Sequence, residues 1–208
     1  MVIKKIFLYL SMQSEIIMYK HYWLQRFRVA RYIRRFFAKI VSQYKTNFVE
    51  IEGRKMFLDE HDSLKLSIYP YVVEQTEFFK KNIKEGDVVL DLGAHIGYFT
   101  CLFAQLVGES GKVFSFEPEP NNFKLLKKNV EVNGYKHVTI EQKAVSDVKS
   151  TIKMYISNSP KDHRIYDTHD GKESIEIESV KLDEYFKDFN KKINVIKSNI
   201  QGADFAAF

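Results

Sequence analysis

Residues 88–100, Val-Val-Leu-Asp-Leu-Gly-Ala-His-Ile-Gly-Tyr-Phe-Thr, constrain this chain more than any other stretch. An apolar run carries Asp91 near its end. Gly93 and Gly97 follow and lead into a helix-like segment. The pattern predicts a buried strand, a tight turn and a helix start. In such a turn the backbone comes close to a ligand, and glycine permits this without a Cβ clash. About twenty residues on, a second apolar run, Val113-Phe114-Ser115-Phe116, ends in Glu117. An acid at the tip of the neighbouring strand is the usual partner of ribose hydroxyls. The two features together read as a pocket for a nucleoside cofactor.

A chain of 208 residues is long enough for one domain with a sizeable core. Its 28% charged and 45% hydrophobic residues exclude a disordered polymer. The single cysteine, Cys101, cannot form an internal disulfide, which fits a reducing compartment, and reads as a packed apolar residue. The net charge of +5 hides an asymmetry. Residues 1–45 hold ten Lys/Arg and one acid, Glu15, whereas the other 163 residues carry 22 basic and 26 acidic groups. The main domain therefore lacks the basic signature of nucleic-acid binding, and no nucleic-acid partner is expected. No run is long and apolar enough for a membrane span, and no convincing signal peptide is present.

Residues 15–45 have the spacing of a basic amphipathic helix: Trp23, Phe27, Ala30, Phe37 and Ile40 form the apolar stripe between arginines and lysines. Such a helix packs across a domain or lies on an anionic membrane surface. The expected location is cytoplasmic, with peripheral contact at the inner membrane face as the sharper alternative. Phe48–Ile51 and Lys55–Leu58 flank Glu52-Gly53 as a hairpin, and Leu64, Leu66 and Ile68 alternate behind it, giving a small β element over 47–69. Beyond this the chain alternates: helix 72–83, strand 88–92, helix 97–107, strand 112–117, helix 120–132, strand 137–145. That order argues for a parallel α/β sheet with crossover helices. Two further strands, 151–156 and 174–180, surround a polar loop. A short helix over 182–189 and a strand over 193–197 complete the pattern. The expected domains are the segment 1–45 and a sheet domain over 46–208.

Asp91-x-Gly93-x-x-x-Gly97 lacks the closely spaced glycine pair that seats a pyrophosphate on a helix N-terminus. The spacing suits a cofactor without a diphosphate, and S-adenosylmethionine, with its amino-acid tail, ribose and adenine, fits. Asp91 is expected to hold the tail ammonium directly or through water. Gly93 lets the cofactor lie on the loop backbone, and Glu117 takes the vicinal ribose hydroxyls. Pro118 and Pro120 end the strand before the next helix. As a plainer alternative, Glu117 caps that helix.

The stretches GDVVLDLGAHIGYFT (86–100), FSFEPEPNNFKLLKKNVEVNG (114–134), VTIEQKAVSD (138–147), SVKLDEYF (179–186) and VIKSNIQGAD (195–204) give the chain a resemblance to the FkbM family of S-adenosylmethionine-dependent methyltransferases. The resemblance covers roughly residues 56–208. It implies a Rossmann-like class I methyltransferase sheet: the first four core strands plus a β-hairpin insertion, with the sheet incomplete at the C-terminus. It also implies O-methylation, often of a sugar, glycan or secondary-metabolite hydroxyl. The cofactor contacts it suggests are Asp91, Gly93, Ala94, His95, Gly97, Glu117, Pro118, Asn122 and Ala144. The family usually has asparagine where this chain has His95, and aspartate where it has Asn199. An amide cannot take a proton as a carboxylate does, so an inactive S-adenosylmethionine-binding fragment is the alternative function.

Methyl transfer from a sulfonium is an in-line displacement, and a hydroxyl acceptor needs a base as the bond forms. His163, on the polar loop with Asp162, Arg164, Asp167 and His169, is the first choice. A metal held by His163, Asp167 and His169 is the lesser reading, and none is expected. Lys197 orients substrate or pairs with Asp91 or Glu117, and Asn199 completes the expected catalytic set.

Overall fold

A computed structural model describes residues 47–67, 71–155 and 174–200. The expected basic helix over 15–45, the loop bearing His163, and residues 201–208 lie outside the described residues. The described chain begins with an antiparallel hairpin, β1 (Phe48–Ile51) and β2 (Arg54–Phe57). Helix α1 (Val73–Asn82) follows, then β3 (Val88–Leu92), α2 (Tyr98–Val107), β4 (Lys112–Phe116), α3 (Pro120–Val132) and β5 (Val138–Glu141). The remainder comprises β6 (Ala144–Val145), β7 (Thr151–Tyr155), β8 (Ser174–Val180), α4 (Leu182–Tyr185) and β9 (Val195–Ser198).

The main sheet is parallel, with strand order β5-β4-β3-β9. This is the α/β arrangement expected from the alternation of apolar runs. Central β3 is buried along its whole length, as a strand covered on both faces must be. Val89 joins one core with α1, α2, α3 and the hairpin, whereas Val88, Leu90 and Leu92 join a second core on the opposite face. Phe114 and Phe116 of β4 share that second core with Tyr185, Phe186 and Phe189, which meet them edge-on at ring separations of 4.9 to 6.3 Å. Strand alternation therefore puts Asp91 and Ser115 on the helical face, beside Val89 and Val113.

Two expected strands take a different form. The run 137–145 divides: β5 stays in the main sheet, and β6 leaves it to pair in parallel with β8, which is also antiparallel to β7. Leu64 and Leu66 are buried as expected, but in successive turns rather than a strand. Two aspartates decide this. Asp59 accepts from the backbone N–H groups of His61 (3.1 Å) and Ser63 (3.0 Å), and Asp62 accepts from that of Leu66 (2.9 Å). Side-chain acceptors that capture local N–H groups remove them from any strand ladder.

The hairpin is fastened to α3 by two amides. The Asn129 side chain accepts from Phe57 N at 2.6 Å and donates to Phe57 O at 3.0 Å. One turn on, Asn133 does the same with Lys55, at 2.8 Å in both directions. A helix advances ~6 Å over four residues and a strand ~7 Å over two, so the two amides match alternate residues of β2. Asn129 also donates to the carbonyl of Ile96 at 2.7 Å, tying the hairpin to the glycine loop.

Candidate functional site

The loop 93–97 leaves β3 and folds over the tip of β4. The N–H groups of Gly93 and Ala94 both donate to the Phe116 carbonyl, each at 3.0 Å. The next N–H, that of His95, donates to Glu117 Oε2 at 2.7 Å, and Glu119 N donates to Glu117 Oε1 at 3.0 Å. His95 reaches this position with φ of +53°, a region where asparagine and histidine are the more tolerated non-glycine residues. Glu117 is thus built into the loop. Its carboxyl group is buried, and burial pushes it up to about 7, with the neighbouring Glu119 adding to the effect against the two N–H bonds and the Lys197 charge. The helix cap is Glu119, which accepts from Asn122 N at 2.6 Å with Pro120 in the first turn of α3. Glu117 is therefore left for another purpose.

Asp91 is paired within the protein. It is fully buried, and both oxygens are taken: Oδ1 by Lys197 Nζ at 2.9 Å and Oδ2 by Thr100 Oγ1 at 2.7 Å. Thr100 continues the chain to Ser115 Oγ at 2.9 Å. Each Asp91 oxygen thus accepts one bond from within the protein. The carboxylate fixes Lys197, whose register opposite Asp91 follows from the β3–β9 pairing. Of the two carboxylate partners considered for Lys197, Asp91 is the one bonded.

The glycines also have a reason that the sequence did not give. A Cβ on Gly93 would overlap the Asn199 carbonyl, whose carbon would lie 2.9 Å away. A Cβ on Gly97 would lie 2.7 Å from Leu126 Cδ1 of α3. Both residues have positive φ, +74° and +88°. The positive φ favours glycine at both points, and at Gly93 close packing against the Asn199 backbone requires it as well.

Beside the loop lies a cavity of about 620 Å³, a volume typical of small-molecule sites. Gly93, Ala94 and His95 form one wall, residues 196–199 a second, and α1 with Tyr71 and Val72 a third. The expected site residues divide around it. Lys197 and Asn199 line it together with Gly93, Ala94 and His95. Glu117 is not among the lining residues but is bonded to one of them, His95. Pro118 and Asn122 follow on the β4–α3 side, and Ala144 is buried in β6 opposite Ser179. None of these last three is among the lining residues. His163 lies outside the described residues. Sequence reasoning missed Tyr71, Phe79, Tyr98 and Phe99 as walls of the cavity. Phe79, Tyr98 and Phe99 lie on helices and are largely buried, whereas Tyr71 precedes α1 and is half-buried.

The donor and acceptor set fits S-adenosylmethionine. Each Glu117 oxygen has one lone pair committed and another available to a hydroxyl. Lys197 supplies a cation in the cavity wall. The model of the methyltransferase FkbM domain matches residues 91–208, more than half the chain. The chain belongs to the FkbM methyltransferase-domain family. Its sheet is the Rossmann-like one of that family, and the family's cofactor is S-adenosylmethionine.

Among curated relatives, this FkbM-domain chain is 40% identical over 58 residues to the protein-L-isoaspartate O-methyltransferase of Methanococcoides burtonii. That match covers 28% of this chain and 29% of the relative. The enzyme of the same name from Methanococcus maripaludis is 36% identical over 90 residues, covering 43% and 39%. The matched region thus spans well under half the length of either relative. Among solved structures, TYW2 of P. horikoshii in complex with MeSAdo has a TM-score of 0.40 at 23% identity, covering 50% of this chain and 41% of that one. TYW2 of M. jannaschii in complex with AdoMet has a TM-score of 0.39 at 24% identity, covering 46% and 43%. Nothing in these relatives supports a glycan acceptor or membrane contact, and the sequence-based exclusion of nucleic acid finds no support in them either.

Proposed function

We propose that this chain is an S-adenosylmethionine-dependent methyltransferase that methylates a hydroxyl oxygen, with a sugar, glycan or secondary metabolite as acceptor. One observation carries the reading: a buried carboxylate at the tip of β4 is held by the N–H of the loop that walls a cavity containing Lys197. When bound, S-adenosylmethionine supplies an activated methyl group on a sulfonium. Glu117 accepts the ribose hydroxyls, in a charge-assisted geometry that a neutral side chain cannot match. The loop 93–95 positions the cofactor, and the aromatic wall of Tyr71, Phe79, Tyr98 and Phe99 keeps water from the reacting end. His163 removes the acceptor proton as the new bond forms.

Binding of S-adenosylmethionine by calorimetry, followed by methyl transfer to hydroxyl-bearing acceptor pools, tests the proposal. Absence of both heat and thermal stabilisation would overturn it. A second reading, a cofactor-binding protein without turnover, is favoured by Asn199, a cavity-lining residue that is a neutral amide where the family resemblance implies aspartate. Binding without product in the parent chain, with product appearing in the Asn199→Asp variant, selects the second reading. Equal turnover in both proteins selects the first.

A further inference from the structure

The outer face of α1 lines the cavity with side chains that the cofactor reading leaves unused: Glu74, Gln75 and Phe78. Phe78 follows Glu74 by four residues and Gln75 by three, so they share one side of the helix. The inner side fixes where that face stands. Phe79 meets Phe99 and Phe103 of α2 edge-on or stacked close by, at 5.4 and 4.8 Å. Thr76 Oγ1 lies 3.1 Å from the Tyr98 hydroxyl, and Lys80 pairs with Glu52 of the hairpin. Phe78 is 59% exposed, the one aromatic among the exposed large apolar side chains of the described residues. Ile196, 43% exposed, stands in another wall of the same cavity. Apolar side chains left in water around one cavity forgo burial that a ligand would supply. No described residue bonds to the Glu74 carboxylate or the Gln75 amide. Among the described lining residues Glu74 is the one acid and Lys197 the one lysine or arginine. Lys197 is paired with Asp91 at 2.9 Å, so the charge left over is negative.

We infer that this face of α1 is the acceptor subsite and that it takes a pyranose ring without acidic groups. The inference rests on the methyltransferase reading and narrows its acceptor. A pyranose offers a face of C–H bonds to an aromatic ring and a rim of hydroxyls to polar side chains. Phe78 takes the C–H face. Glu74 accepts from neighbouring hydroxyls, and Gln75 both accepts and donates. The same Glu74 charge repels a uronate or a phosphorylated sugar, and no unpaired lysine or arginine among the described lining residues offsets it. The face walls the same cavity as the loop 93–95, as direct transfer from cofactor to acceptor requires.

The test measures binding, so it holds whether or not the chain turns over. Methyl pyranosides of glucose, galactose and mannose are titrated into the full chain with S-adenosylhomocysteine present, by ligand-observed NMR. Each is compared with its uronic acid and with catechol. A neutral pyranoside should bind about tenfold more tightly than its uronate. Phe78→Ala should weaken the neutral sugar about tenfold, with nucleoside affinity unchanged. Glu74→Gln should bring the affinities for neutral sugar and uronate together. Val73→Ala, also exposed on α1 but outside the lining, should change neither. All three side chains are exposed, so the variants should fold, and thermal melting checks this. A Glu74 that serves only the dipole of α1 would leave the ratio of neutral sugar to uronate unchanged, which overturns the inference. Binding of catechol in place of the sugars overturns it, as does loss of self-association in Phe78→Ala with sugar affinity unchanged, which assigns the face to a second copy. Failure of every pyranoside to bind also overturns it, while leaving the methyltransferase reading intact. Failure of S-adenosylmethionine to bind overturns that reading and the inference with it.

Discussion

Replacing Glu117 by glutamine should exchange cofactor affinity for stability, in a way that depends on pH. Burial raises the carboxyl group from 4.5 to about 7. At 1.36 kcal/mol for each tenfold change in proton affinity, ionising it in the folded protein costs about 3 kcal/mol relative to the unfolded chain. The folded protein holds this proton more tightly than the unfolded one. Its contribution is therefore fully present below about pH 4.5, is lost as pH rises to about 7, and changes little above that. The glutamine variant lacks this slope. It carries instead a fixed cost of about 1–3 kcal/mol, because an amide can accept from only one of the two N–H groups of His95 and Glu119 and opposes the other. Urea unfolding of both proteins at pH 5 and pH 8 separates the two effects, since all other titrating groups are shared. The stability difference should move by about 2–3 kcal/mol in favour of the variant between those pH values. Affinity for S-adenosylmethionine at pH 8 should fall roughly 10- to 100-fold in the variant, the worth of one or two hydrogen bonds to a charged group. A difference in stability that stays constant from pH 5 to pH 8 would refute the reasoning.

Four further outcomes follow from the packing. Asn129→Ala leaves the N–H and carbonyl of Phe57 and the carbonyl of Ile96 without their partner, and should cost about 2–5 kcal/mol in chemical denaturation. The same change at Asn133, which is less deeply buried, should cost less. Gly93→Ala forces a side chain into the left-handed region, worth about 1–2 kcal/mol by itself, and drives its methyl into the Asn199 carbonyl. Thermal melting should show a larger loss than that backbone cost alone. Cys101 is fully buried, and burial pushes its thiol up to about 12. A thiol reagent at pH 8 should label it only as fast as the protein unfolds, so rapid labelling of the native protein would contradict the packing.

The order of strands and helices was legible because each element satisfies a local rule. β3 reads as a continuous apolar run since both its faces are covered, and α3 starts where Glu119 and Pro120 supply the cap and the fixed φ. The pairing of a glycine turn with an acid at the next strand tip was also legible, because parallel neighbours in this topology end at one edge of the sheet. What each charged group does there was not. Lys197 lies 106 residues from Asp91, and only the β3–β9 register brings the two to 2.9 Å, which decides between Asp91 and Glu117 as the partner of the lysine. The glycines were read from their identity, but the neighbours packed against them, Asn199 and Leu126, come from elsewhere in the chain. Sequence thus determined the elements and the edge of the sheet at which chemistry can occur, through short-range backbone preference and periodic burial. Tertiary structure alone decided which polar atoms are spent on one another and which are left for a ligand, because hydrogen bonds and charges are settled over a few ångströms of space, whatever the distance along the chain.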